Sequence, residues 1–443
     1  MPSPSRAWRV VMAKEWQELL RTPAFWVLLL LTGPLVGLSF AGAVRAYAEV
    51  SGLSGTGAGR GEAFAPLVGV WAPTFSAYEL VAALLLPFLA IRVMAHDRVT
   101  GAFRLESQGP VSLPVRVALK AAVLGGAWLA ASLAGVAALV LWRFAYGGVL
   151  YGPELASVGL GHVLNAGLTI ALAAVAASIT EHPATAAIVT LGFTLGTWVV
   201  SFAAAVHGGG WERVAALTPP ALVAVFQRGL VRLDLVLVAA VLVGAGLALA
   251  SVWMQPGATA RRRAVLSAVL IAASGAGLFA ALSVRASWDL SESRANSLPA
   301  AHEKALRAIA GPLTVRVHLA PSDARRTDLE RRVFSKLQRA VPDLTVRYES
   351  ATSVGLFEQS DASYGSIDYA LGPRRASSRL LTVEGVLESV YAVADLDAPE
   401  EDEQDPFAGH PLAVPPRGAG TVFYVAWPAL VLGAALFTLR RPG

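Results

Sequence analysis

The chain has 443 residues, 55% hydrophobic and only 15% charged, with a net charge of +5 and no cysteine. A soluble domain carries about 25% charged residues, and the lack of cysteine excludes disulfides, thiolate nucleophiles and Cys-ligated metals. The charge is unevenly placed. Of the 67 Lys, Arg, Asp and Glu, 36 fall within residues 285–420, the pattern of a membrane protein carrying one soluble domain. The excess of Lys and Arg borders apolar runs, where orientation in the membrane accounts for it without nucleic acid.

The N-terminal stretch RAWRVVMAKEWQELLRTP (6–23) reads as an amphipathic helix. Trp8, Val11, Met12, Trp16, Leu19 and Leu20 share one face, and Arg6, Arg9, Lys14, Gln17, Glu18 and Arg21 take the other. Such a helix lies in the membrane interface, and Pro23 ends it. It serves either as a plain anchor for the first span or as an elbow that contacts a partner.

Eight runs are apolar enough for the ~20 residues that cross a bilayer: about 24–44, 76–95, 121–142, 157–179, 184–206, 235–254, 264–284 and 421–439. With the N-terminus inside, the inner segments hold Arg6, Arg9, Lys14 and Arg21, then Arg92, Arg98, Arg104, Arg116 and Lys120, then Arg261 to Arg263, and finally Arg440 and Arg441. The outer segment 45–75 holds only Arg45 and Arg60. This distribution predicts a multi-pass protein with both termini cytoplasmic and residues 285–420 outside. Glu79 and His162 fall near predicted outer ends, and no carboxylate stands at mid-membrane as ion-coupled transport requires. Energy for transport must then enter elsewhere.

Residues 285–420 read as a small α/β domain, thioredoxin-like or related. Ser297 suggests an N-capped helix through PAAHEKALRAI with Pro299 in its first turn. LTVRVHLA alternates as a half-buried strand. RTDLERRVFSKLQRAV is helical, with Leu329, Val333, Leu337 and Val341 at i+4 steps. DLTVRYES, YGSIDYALG and SSRLLTV predict three more strands, and VEGVLESVYAVA a last helix. Without a redox cysteine pair, such a domain is expected to bind or dock rather than catalyse. The acidic stretch DAPEEDEQDP (397–406) lacks the alternating ligands and Gly of a calcium loop and reads as a solvated linker.

There is no phosphate-binding G-x-x-x-x-G-K-[ST] loop. The Gly-rich run 51–61 follows no strand and reads as linker. The seven His show no metal-ligand spacing, and no nucleophile elbow is present. Glu181 and His182 form a close acid–His pair in a short turn, suited to partner contact. Thr190, Thr194, Thr197 and Ser201 form a hydroxyl stripe along the fifth run, which serves either helix packing, including a dimer contact, or a substrate pathway. No intrinsic catalytic site is expected.

Four stretches in this order resemble the type-2 export permeases of ABC transporters, in the branch of gliding-motility and nitrous-oxide-reductase-maturation permeases. They are KEWQELLRTPAFW (14–26), LLLPFLAIRVMAHDRVTGAFRLESQGPVSLPVRVALK (84–120), AASITEHPATAA (176–187) and LTPPALVAVFQRGLVRLDLVLV (217–238). With the six spans in this order, the resemblance extends over roughly residues 1–255, a six-span permease domain of 24–255 behind an elbow helix of 1–23. Residues 256–284 are then a linker and seventh span, and 421–443 an eighth span and tail. SWDLSESRANSLPAAHEKALRAIAGPLTVRVHLA (287–320) is similar to the start of the auxiliary component of gliding-motility ABC transporters, so the chain looks like a permease and an auxiliary domain fused.

The resemblance implies a bacterial inner-membrane subunit that works as an exporter or a force-transmitting complex. It implies a separate cytoplasmic ATPase, acting as a dimer, which binds the ATP and Mg, and a transmembrane unit formed by two permease copies or by this chain and a relative. An extracytoplasmic protein or substrate would meet the outer domain. The implied ATPase-coupling residues are Lys14, Glu15, Asp97, Arg98, Gly101, Arg104, Glu106, Glu181 and His182. Ala102 and Arg104 depart from the family, which places Thr and Glu there, so either Glu106 substitutes or the contact is built differently. Two other classes stay open: a membrane-anchored scaffold or receptor without transport, and a multi-span enzyme, which would need ionisable groups converging at one depth.

Overall fold

The computed structural model describes residues 4–53, 65–101, 108–321, 323–349, 363–399 and 417–440. The Gly-rich residues 54–61, loop residues Ala102, Arg104 and Glu106, and the acidic residues 400–406 lie outside the described residues. The chain is mostly helical and forms two compact units. One comprises residues 1–197, 219–290 and 407–443; the other comprises 198–218 and 291–406.

Among the described residues, eight helices are long and apolar enough to cross a membrane. Helix α1 (Pro4–Leu20) precedes α2 (Pro23–Leu53). A π-helical turn (Leu67–Trp71) opens α3 (Ala72–Thr100), which is followed by α4 (Leu113–Ala145), α5 (Gly152–Ile179) and α6 (Pro183–His207). Short helices α7 (Gly210–Ala215) and α8 (Pro219–Phe226) lead to strand β1 (Leu230–Arg232) and helix α9 (Leu233–Met254). Helix α10 (Ala260–Leu282) then runs into β2 (Ser287–Asp289), which pairs antiparallel with β1. The last span comprises a short turn and α-helix over Ala419–Leu439.

Several helices run past the apolar windows read from the sequence. The second begins at Leu67 rather than near 76, so Glu79 falls in its middle third and not near an end. Thr74, just after Pro73, donates its hydroxyl to the Val70 carbonyl at 2.7 Å. The third begins at Leu113 rather than 121, with Pro114 in its first turn, where a missing N–H costs nothing. Within the charged segment 96–120, α3 therefore reaches Thr100 and α4 starts at Leu113.

Within the first unit the final span packs on α2. Gly33 and Gly37, one turn apart, leave room for Trp427 and Phe423: a Cβ built on Gly33 would lie 2.0 Å from the Trp427 ring, and one on Gly37 would lie 2.3 Å from Phe423. Small residues four apart let membrane helices approach closely. Trp427 donates its indole N–H to the Leu29 carbonyl at 2.7 Å. Around Phe40, the rings of Trp71, Tyr146 and Phe423 each lie 6.2 Å away, and Trp142 meets Trp71 edge-on at 5.5 Å.

The second unit is built on a four-stranded sheet. Helix α11 (Ala300–Arg307) precedes β3 (Leu313–Val317); α12 (Ala324–Leu329), a π-helical turn (Glu330–Phe334) and α13 (Ser335–Ala340) lead to β4 (Leu344–Tyr348). Strands β5 (Ile367–Leu371) and β6 (Arg374–Ser378) form a hairpin, and α14 (Val383–Ala394) closes the unit. The order is β4-β3-β5-β6, with β3 parallel to β4 and the other pairs antiparallel. Val315, Val317, Ile367 and Tyr369 bury one face of the sheet with Leu329, Val333, Leu337 and Val341 from the helical segment.

Two local expectations change. Helix α11 starts at Ala300 with Pro299, not Ser297, in the cap position and no side-chain cap. Strand β6 occupies Arg374–Ser378 rather than 377–383, because Gly372, at φ +58°, makes a two-residue turn that pairs Leu371 with Arg374 and fixes the register. The unit also takes in 198–218, distant in sequence. Glu212 on α7 forms an ion pair with buried Arg326, whose guanidinium lies 3.9 Å from the centre of the Tyr348 ring. Tyr348 donates to Glu330, whose carboxyl burial pushes up despite that bond.

Two predictions test these arrangements. Gly37→Leu should lower the thermal stability of the purified protein, by about 1–3 kcal/mol as overpacking does, whereas Gly42→Leu, with open space at its Cβ, should leave melting unchanged. Asp323 caps α12 and accepts from Arg325 and Tyr364, and its carboxyl is held down at about 2, first by the Arg325 bond. A depressed carboxylate stabilises above its unfolded value and loses that contribution as pH falls through the folded one. Proteolysis of Asp323→Asn should thus be faster than wild type at neutral pH, and the difference should shrink between about pH 4 and pH 2.

Candidate functional site

The densest constellation of buried charge gathers residues of α1, the end of α3 and the start of α4. Lys120 Nζ lies 2.6 Å from Glu15 Oε2 and 2.7 Å from Asp97 Oδ2, and it donates to the Val93 carbonyl at 3.2 Å. All three side chains are at most 5% exposed. Lys14, at the rim, lies 3.4 Å from Asp97 Oδ1, 3.3 Å from Glu18 and 3.8 Å from Glu15. One turn before Lys120, buried Arg116 donates its Nε to the Val111 carbonyl at 3.0 Å.

Helical geometry makes the cluster possible. Glu15 sits one turn before Leu19, which is fully buried, so the packed face of α1 runs through Glu15 and Leu19. Trp8 and Trp16, read from the sequence as members of the apolar face, are 46% and 36% exposed. Asp97 lies just beyond the apolar window of the second span, and Lys120 two turns into α4.

Burial pushes the Glu15 carboxyl above the ordinary glutamate range, against the pull of Lys120. Burial acts on Asp97 as well, but there Lys120 and Lys14 outweigh it and hold the carboxyl below the usual range. A single ammonium thus holds two carboxylates of unequal acidity. The arrangement clamps three elements together.

Of the residues expected from the sequence to couple to a partner, Lys14, Glu15 and Asp97 come together. Gly101 lies just past the end of α3 at φ +78°, a helix-terminating conformation that Gly adopts without cost. The backbone of Arg98 belongs to the last turn of α3, and Arg104 and Glu106 are outside the described residues. Glu181 and His182 are exposed in the separate turn between α5 and α6, where the His182 carbonyl accepts from the Ala186 N–H. Lys120 was legible only as a positive charge in a loop. The missed signal was an acidic residue on the elbow and another at the end of the second span, both needing a cation.

The hydroxyl stripe of α6 bonds to its own backbone. Thr190 donates to the Ala186 carbonyl, Thr194 to Thr190 and Thr197 to Thr194, at 2.8, 3.0 and 2.7 Å. Ser201, half-buried, continues the row. His162 is buried in α5, 3.3 Å from Gln227 and between the rings of Phe75 and Tyr78, each 5.6 Å away. Among the described residues no group of three or more His, Asp or Glu is placed to hold a metal ion.

Eight long apolar helices define the class: a multi-pass helical membrane protein. No family model matches the chain, and no curated protein or solved structure matches it significantly.

The cluster makes a measurable prediction. Lys120→Met leaves two buried carboxylates facing one another and should destabilise the purified protein by about 3–5 kcal/mol. A triple variant, Lys120→Met with Glu15→Gln and Asp97→Asn, should recover most of that loss, read as the melting temperature in detergent.

Proposed function

We propose that the chain is the membrane-embedded permease subunit of an ATP-driven ABC transporter, acting as an exporter or a force-transmitting complex, with ATP bound and hydrolysed by a separate cytoplasmic ATPase. The observation that carries this reading is the Glu15–Lys120–Asp97 cluster. It locks an amphipathic elbow to the ends of two spans on the side where the Lys and Arg distribution puts the cytoplasm. A push on α1 or on the loop after Gly101 would then move the second and third spans together. The proposed contacts with the ATPase comprise the elbow around Lys14, the end of α3 at Gly101 and the exposed turn Glu181–His182, with Arg104 and Glu106 assigned by their sequence positions alone.

We further propose that the second unit is an extracytoplasmic, thioredoxin-like domain that serves as a docking platform. A parallel pair flanked by an antiparallel hairpin, with helices between the strands, supports that reading. The lack of cysteine removes its redox chemistry and leaves binding. The last turns of α6, from Trp198, belong to this unit.

The test is purification of the full chain from its native membrane with its bound proteins. An ABC ATPase should co-purify, and its hydrolysis should rise when this chain is present. Lys14→Glu, at the half-exposed rim, should reduce that stimulation severalfold while membrane insertion stays normal. Absence of any ATPase among the bound proteins defeats the reading and leaves a scaffold or receptor in its place.

A further inference from the structure

Beside the buried cluster lies a cleft of about 180 Å³ between α1, the start of α2 and the end of α3. Its polar lining is Glu15, Glu18, Arg21, Thr22 and Arg92, and Leu19 and Val93 supply its apolar walls. Most of these polar groups are already engaged. Glu15 is held by Lys120, Glu18 by Lys14, and the Thr22 hydroxyl donates to the Glu18 carbonyl at 2.8 Å. Arg21 and Arg92 are exposed, and among the described residues neither has an ion-pair partner. The lining itself carries two carboxylates and two guanidinium groups; with Asp97, Lys14 and Lys120 beside it, three carboxylates stand against four cations.

The height of the cleft matters as much as its charge. Arg21 immediately precedes the first span, and Arg92 stands in the last turn of the second, which ends at Ala95. Both therefore stand where a span leaves the apolar layer. Trp26 is fixed at the same level by its indole N–H, which donates to the Leu20 carbonyl at 2.8 Å, and Trp favours the headgroup region. Two guanidinium groups over an apolar wall suit a phosphate that is attached to acyl chains. The planar fork of Arg matches phosphate oxygens bidentately, and basic pockets between spans take anionic headgroups. We propose that this cleft binds the phosphate of an anionic phospholipid, with Arg21 and Arg92 as its two ligands. The inference rests on the membrane reading and is independent of the transport reading.

The test uses the full chain purified in neutral detergent, with bound lipid counted by native mass spectrometry after adding phosphatidylglycerol or phosphatidylcholine at equal concentration. Wild type should retain phosphatidylglycerol preferentially. Arg21→Gln with Arg92→Gln should lower that retention on the order of tenfold, while Arg21→Lys with Arg92→Lys keeps part of it. Arg9→Gln, on the same helix but outside the cleft, should change nothing. Each single Arg→Gln variant should show a partial loss, which keeps the test readable if the double variant aggregates. Equal loss in Arg9→Gln would mean diffuse attraction and overturn the site. Displacement of the lipid by an equal concentration of inorganic phosphate would make free phosphate the ligand and overturn the lipid assignment. Equal retention of phosphatidylcholine would overturn both.

Discussion

One ammonium group between two carboxylates organises the end of the molecule where α1, α3 and α4 meet. Lys120 reaches Glu15 and Asp97 at 2.6 and 2.7 Å with all three buried. Such a cluster adds little net stability over a well-packed apolar alternative, because the desolvation of each charge offsets the attraction. Its value lies in specification. An apolar seam tolerates sliding by a turn, whereas two acids from separate elements that share one cation admit a single register.

That constraint decides what else in the first unit has to be exact. With α1 pinned at Glu15, the chain turns at Arg21 and Thr22 into α2, where the Trp26 indole caps the turn through the Leu20 carbonyl. Further along α2, Gly33 and Gly37 make room for Trp427 and Phe423. The last span, almost four hundred residues away in sequence, is thus seated on the first by two aromatic rings in two gaps. Polar pairing fixes one end of α2, and shape fixes its middle.

The sequence revealed these features unequally, for physical reasons. The eight spans were legible because hydropathy over about 20 residues is a direct measure of the free energy of leaving water. Their ends were not, because a charge stops a hydropathy window without stopping a helix. Arg116 and Lys120 looked like loop residues, yet both are helical and buried, one satisfied by a carbonyl and the other by two acids. Likewise Glu79 looked terminal only because the turn around Pro73 hid the helix upstream of it. In the α/β unit the order of elements was readable from alternation and i+4 spacing, while β6 was displaced because the hairpin turn at Gly372, not the hydrophobic run after it, sets the pairing. In the candidate site, Lys14, Glu15 and Asp97 were named from the sequence, and the residue that joins them was not. Contact between positions 15, 97 and 120 is a property of packing, and no local pattern encodes it.

The basic residues at this end also divide by fate in a way that net charge conceals. A rule that counts Lys and Arg in loops treats Arg21, Arg92, Arg116 and Lys120 as equivalent votes for orientation. In the structure Lys120 is buried between two acids from separate elements and holds them in register, and Arg116 is buried with its Nε on the Val111 carbonyl. Arg21 and Arg92 keep their charge at the surface, over apolar walls and at the height where the spans begin and end. The first pair answers a requirement of the fold. The second pair answers no requirement that the described chain can satisfy from within, and a charge kept unpaired beside a lipid boundary is placed to meet something that the bilayer itself supplies.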